Sequence, residues 1–168
     1  MNNQLVLNIL RFVLLVLVQV LIFNHLNFLG FINPMVYIIF LYWYPIRKNR
    51  ALFMLVAFFL GFVIDIFSDS MAIHALSTLT VAYLRPLIMR FCFGVNYEFQ
   101  TFSFKNTTQV QRITFLAFLV IAHHLVYFGI EILSFSHILL LLKKLFMTSV
   151  VTLFVCLLFS SLFAPSSE

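Results

Sequence analysis

The sequence predicts an all-α membrane protein of about six transmembrane helices. Three observations carry that prediction. Of the 168 residues, 64% are hydrophobic and only 9% are charged, against roughly 45–50% and about 25% in a soluble domain. The mean hydropathy is +1.12. The apolar residues also fall into runs of spanning length, separated by short polar breaks. A chain of this size leaves much of its surface outside, so its exterior must meet lipid. Six spans of about 20 residues use roughly 120 positions. Only short loops remain, so residues 1–168 read as one polytopic domain.

The spans are expected at about 5–23, 28–44, 52–67, 72–93, 113–135 and 145–163. The first carries Asn8, Arg11 and Gln19 on one face, which should point at neighbouring helices because polar atoms are costly in lipid. Arg11 is near enough to the end to snorkel. This segment lacks a basic leader and a small-residue cleavage site, so it is read as a span and not as a signal peptide. In the second span Gly30, Asn33 and Pro34 interrupt the first turns, and a continuous helix is placed from Pro34 on. Tyr42, Trp43 and Tyr44 then form an aromatic belt at the interface, and Pro45 stops the helix. Spans three and four are joined by the polar turn Ser68-Asp69-Ser70. The 94–112 segment is the longest without a span. Its aromatics, Tyr97, Phe99, Phe102 and Phe104, suit a stretch lying against the headgroups. The sixth span, which could begin as early as Leu139, carries Ser149, Thr152, Cys156 and Ser160 on one face. Small residues at that spacing let helix backbones approach closely.

The net charge of +5 is read as a topology signal and not as a sign of nucleic-acid binding. Arg47, Lys48, Arg50, Lys105 and Arg112 gather on one side of a six-span topology, with Arg90 near it. Asp69 lies on the other side, with Asp65 and Glu131 close by. The positive-inside rule therefore places both termini in the cytoplasm. Lys143 and Lys144 are discordant and are assigned to the outer end of span six, snorkelling outward. Cys92 and Cys156 lie inside apolar runs, and so few cysteines suggest neither a disulfide nor a metal site. The chain has no Gly-rich phosphate loop, CxxC pair or HExxH motif, so no cofactor and no enzymatic activity are expected.

Asp65, His74, Arg85, His123, His124 and Glu131 lie within or at the edge of apolar spans, where an ionisable residue is a functional hypothesis by default. His74, Thr78, Val81 and Arg85 share a face of span four, with Ser77 beside it. Gly61 and Asp65 are one turn apart on span three. His124, Tyr127 and Glu131 share a face of span five. Three readings compete: helix packing or partner docking, a relay or substrate pocket, and a metal site on His123-His124. Adjacent helix residues point about 100° apart, so that histidine pair cannot chelate alone. The reading adopted is a packing or docking seam built on Gly61, Asp65, His74, Arg85, His124 and Glu131.

Three stretches carry a family likeness, in matching order: YWYPIRKNR at 42–50, FFLGFVIDIFSDSMAIHALSTLTVAYLRPLIMR at 58–90 and HHLVYFGIEILSF at 123–135. With the core Gly61…Asp65…His74-Ala75 and Tyr83-Leu84-Arg85-Pro86, the chain resembles the bacterial rod shape-determining MreD family, in its Bacteroidetes-type form. The likeness covers roughly half of the sequence. It implies a multi-pass inner-membrane protein whose fold is similar to the substrate-binding subunits of energy-coupling-factor transporters. It further implies a non-enzymatic scaffold for lateral-wall peptidoglycan synthesis and cell shape. That scaffold would bind MreC and act with RodA, a class B penicillin-binding protein and MreB. No catalytic residues carry over. The chain departs from the family at Ala72, where members often have glycine. The alternative is a vitamin-type small-molecule binding subunit of a transporter, motivated by the outward grouping of Asp65, Asp69, His74 and Glu131.

Overall fold

A computed structural model describes residues 2–26, 30, 32–46, 49–98, 102–131 and 138–162. Five helices are long and apolar enough to cross a membrane. They are α1 (Asn2–Leu21), α3 (Arg50–Ser68), α4 (Ile73–Phe93), α5 (Gln109–Glu131) and α6 (Ile138–Leu162). They correspond to five of the six expected spans. α5 begins at Gln109 because Thr108 and Gln111 form a reciprocal capping box, each side chain accepting the other's backbone N–H, at 3.0 and 3.2 Å. The expected last residues of that span, 132–135, lie outside the described residues.

The second expected span is different. In place of a continuous helix from Pro34 on, the described residues hold a 3-10 turn, Val36–Ile38, that runs into a five-residue helix, α2 (Ile39–Trp43); residues 28, 29 and 31 of the expected span lie outside the described residues. Proline has no N–H to give and biases its predecessor toward extended backbone, so Asn33-Pro34 resists helix. Met35 still has a non-helical backbone, with φ −102° and ψ 75°. Residues Val36 to Leu41 are 0–2% exposed, so this segment is a core element and not a lipid-facing one. Its start meets Gln19 near the end of α1, and its end meets Phe53 near the start of α3. The segment therefore returns the chain from one end of the bundle to the other, packed among α1, α4, α5 and α6.

This placement overturns the expected aromatic belt. Tyr42 and Tyr44 are buried. The Tyr42 ring packs on Phe104 and Phe115, at 5.5 and 5.7 Å between centroids, and Tyr44 packs on Phe53 at 4.6 Å. Trp43 is half-buried, and the Arg11 guanidinium lies 5.3 Å from the centre of its ring, a cation–π distance. In the 94–112 segment residues 99–101, with the expected aromatic Phe99, lie outside the described residues, and Tyr97, Phe102 and Phe104 are half-buried. Phe102 and Phe104 fold back onto Phe93 at the end of α4, and Phe104 also meets Phe115 on α5.

Candidate functional site

The α3–α4 turn reverses the chain through three left-handed residues, Asp69, Met71 and Ala72, with φ of 52°, 46° and 64°. It sets the last turn of α3 against the first turn of α4. The first N–H groups of a helix have no partner within it and are usually capped by a polar side chain just before it. Ala72 occupies that position and has none to offer. Asp65 supplies the cap from the preceding helix. Its Oδ1 accepts the His74 N–H at 3.0 Å and its Oδ2 accepts the Ala75 N–H at 2.8 Å. The Ser70 hydroxyl donates to Oδ1 at 2.6 Å, and His74 Nδ1 lies 2.9 Å from the same oxygen. A carboxylate only accepts, so the proton of that pair sits on Nδ1. The negative charge also faces the positive end of the α4 dipole.

Gly61, one turn before Asp65, makes this approach possible. A Cβ there would lie 2.5 Å from Ala75 Cα and from the His74 carbonyl carbon and oxygen. The structure thus brings Gly61, Asp65 and His74 together in one close-packed polar seam.

The seam continues inward. The His74 ring faces Tyr127 at 4.8 Å and Tyr37 at 5.9 Å. Tyr37 Oη lies 2.9 Å from His123 Nε2. His124 Nδ1 donates to the Val120 carbonyl at 2.8 Å. Its Nε2 is then left to accept the Thr152 hydroxyl at 3.3 Å. Thr152 Oγ1 in turn accepts the Met35 N–H at 3.1 Å. One set of polar contacts thus joins α3, α4, α5, α6 and the broken segment.

Much of this set serves the backbone of that segment. Irregular backbone at membrane depth is tolerated only where protein satisfies its N–H and C=O groups. Gln19 donates to the Pro34 carbonyl at 3.1 Å and accepts the Val36 N–H at 2.8 Å. The Cys156 thiol points at the Val36 carbonyl, 3.8 Å away. At the far end Arg85 donates to the carbonyls of Tyr42, at 3.4 Å, and Tyr44. A cation belongs there, at the negative end of α2. The stripe expected on α6 to be packing alone therefore also makes hydrogen bonds, through Thr152 and Cys156.

Arg85 is buried on the face shared by His74, Ser77, Thr78 and Val81, but it lies apart from Asp65 and caps α2. Glu131 does not join the cluster. It is exposed and pairs with Lys144 at 3.1 Å, so that lysine, expected to snorkel outward, has a partner. Asp69 is exposed as well. His123 and His124 bond different partners, and among the described residues no three His, Cys, Asp or Glu side chains converge as a metal site. Tyr37 and the backbone role of Gln19 were not anticipated. Their signal was faint: a tyrosine inside an apolar run beside Asn33-Pro34, and a glutamine on the inward face of α1. Compared with known proteins, the chain matches no family model, no curated protein and no solved structure.

Proposed function

We propose that the chain is a non-enzymatic scaffold of the bacterial inner membrane. In this reading both termini face the cytoplasm, and the fold is of the energy-coupling-factor substrate-binding type. The scaffold docks the transmembrane helix of MreC. Through MreC it holds RodA, a class B penicillin-binding protein and MreB filaments to the sites of lateral-wall peptidoglycan synthesis. The observation that supports it most is the Gly61–Asp65–His74 clamp. It lies where the family likeness is densest, and its polar groups are spent on fixing one helix against the next. The outer face of α3 is apolar and exposed, with Phe58, Phe59 and Phe62 side by side, which suits a neighbouring transmembrane helix as well as lipid. The vitamin-binding alternative draws less support. Asp65 and His74 bond each other, and Glu131 is taken up by Lys144.

The test is co-purification. Tagged MreC expressed with the chain should retain it through washing in mild detergent, and depletion of the chain should round rod-shaped cells. No recovery of MreC with a well-folded wild-type chain, together with unchanged cell shape, would remove this reading.

A further inference from the structure

At the end of the bundle away from Asp65, a cleft of about 270 Å³ lies between the start of α3 and the second half of α4. Its charged lining residues are Arg50 and Arg85, and no carboxylate is among the described residues that line it. Arg85 is 4% exposed. Its guanidinium lies 4.9 Å from the centre of the Phe53 ring and donates to two carbonyls, while Nε–H has no partner among the described residues. Carbonyl dipoles orient a guanidinium but do not neutralise it, and a buried charge without a counter-ion is costly. Arg50 repeats the pattern at the surface. It lies 5.0 Å over the Tyr83 ring and donates to the Tyr83 carbonyl at 3.2 Å. Among the described residues, two cations, each tethered only by neutral acceptors, thus line one cleft.

Depth and shape narrow the ligand. Pro45, Ile46 and Arg50, at and just before the first residue of α3, line the cleft, so it reaches the end of a spanning helix, which is headgroup depth. The rest of the lining is largely apolar, including Ile46, Phe53 and Met89. The volume is smaller than the roughly 300–1,000 Å³ of an organic-ligand pocket. The neighbouring α4 surface exposes Tyr83 and Leu87, where acyl chains could run. Basic pockets between transmembrane helices are known receptors for phospholipid headgroups. We infer that this cleft binds the phosphate of one anionic phospholipid, with the acyl chains along the outside of α4. The inference needs only that the helices cross a membrane, and it does not depend on the scaffold reading.

Native mass spectrometry of the full chain in neutral detergent tests it, with dioleoyl phosphatidylglycerol, dioleoyl phosphatidylcholine and inorganic phosphate as probes. One phosphatidylglycerol should be retained at least about tenfold more tightly than phosphatidylcholine, and millimolar phosphate should not displace it. Arg50→Gln, a surface change, should weaken that binding about fivefold. Arg90→Gln, exposed on α4 and outside the cleft, should leave it unchanged. Arg85→Lys keeps the charge but loses the planar fork. Tested on protein that elutes like the wild type, it should weaken binding more than Arg50→Gln does. Equal retention of the two lipids would overturn the inference, as would equal losses in the Arg50 and Arg90 variants. Displacement by phosphate would overturn the lipid and assign the cleft to free phosphate.

Discussion

Asp65 and Ala75 are joined across the α3–α4 turn by a 2.8 Å hydrogen bond in which a side chain of one helix caps the backbone of the next. Asp65→Ala removes that cap, the His74 N–H bond and the acceptor for His74 Nδ1 together. A lost helix cap costs about 1 kcal/mol, and hydrogen bonds to a charged group about 1.5–3 kcal/mol. The variant should lose about 2–4 kcal/mol in all, seen as a lowered melting temperature in detergent. Asp65→Asn keeps one accepting oxygen and should fall between it and the wild type.

Gly61→Ala should be destabilising although alanine is the better helix former. Its methyl would meet backbone and not a movable side chain, so the helices must part, at about 1–3 kcal/mol. Gly129 on α5 is the control, since a Cβ there meets nothing within 4 Å. Gly129→Ala should melt at or above the wild-type temperature. Equal losses in the two variants would show that the close approach at Gly61 does not matter.

Ala72→Gly should raise stability. A non-glycine residue pays about 1–2 kcal/mol for left-handed backbone, and Ala72 has φ 64°. The greater freedom of glycine in the unfolded chain takes back part of that, which leaves a gain of up to about 1 kcal/mol.

Thr152→Val keeps the shape but leaves the Met35 N–H and His124 Nε2 without their partner. The expected loss is about 1–3 kcal/mol. Gln19→Leu should cost at least as much, because it orphans the Pro34 carbonyl and the Val36 N–H together. Changing both should cost less than the sum, because both act on the same few backbone groups. A thermal-melt double-mutant cycle reads that coupling.

Glu131→Gln should be nearly silent. Its partner Lys144 and Glu131 itself keep 23% and 34% side-chain exposure, and exposed ion pairs are worth about 0–1 kcal/mol. A large loss would tie Glu131 to the polar interior after all.

The sequence makes the membrane class, five of the spans and the Asp65 seam readable, each for a physical reason. Gly61 and Asp65 are one turn apart, and His74 follows just past a turn of Ser68-Asp69-Ser70, so the reversal alone brings them together. Arg85 and His124 stand out as ionisable groups in apolar runs, but partners of theirs lie 41 and 28 residues away, where no local pattern reaches. Tyr42-Trp43-Tyr44 fits an interfacial belt as well as it fits a core. What decides is the break at Asn33-Pro34, which leaves backbone that only an interior position can satisfy. Glu131 shares a helical face with His124 but lies nearly two turns further along, at the bundle end, where Lys144 of the next helix reaches it.

The broken segment also constrains how the protein is made. Thr152, which accepts the Met35 N–H, is 117 residues downstream of it. At about 5–20 residues per second of synthesis, on the order of ten seconds pass between the two. During that interval the segment has been delivered to the membrane without the helix that completes it. Gln19 and Arg85 are made earlier and can hold the segment's two ends, but the Met35 N–H gains its Thr152 partner only when the last helix arrives. A chain that stops before α6 should therefore be cleared by membrane proteases as an unfinished product, even though four of its long helices are already in place.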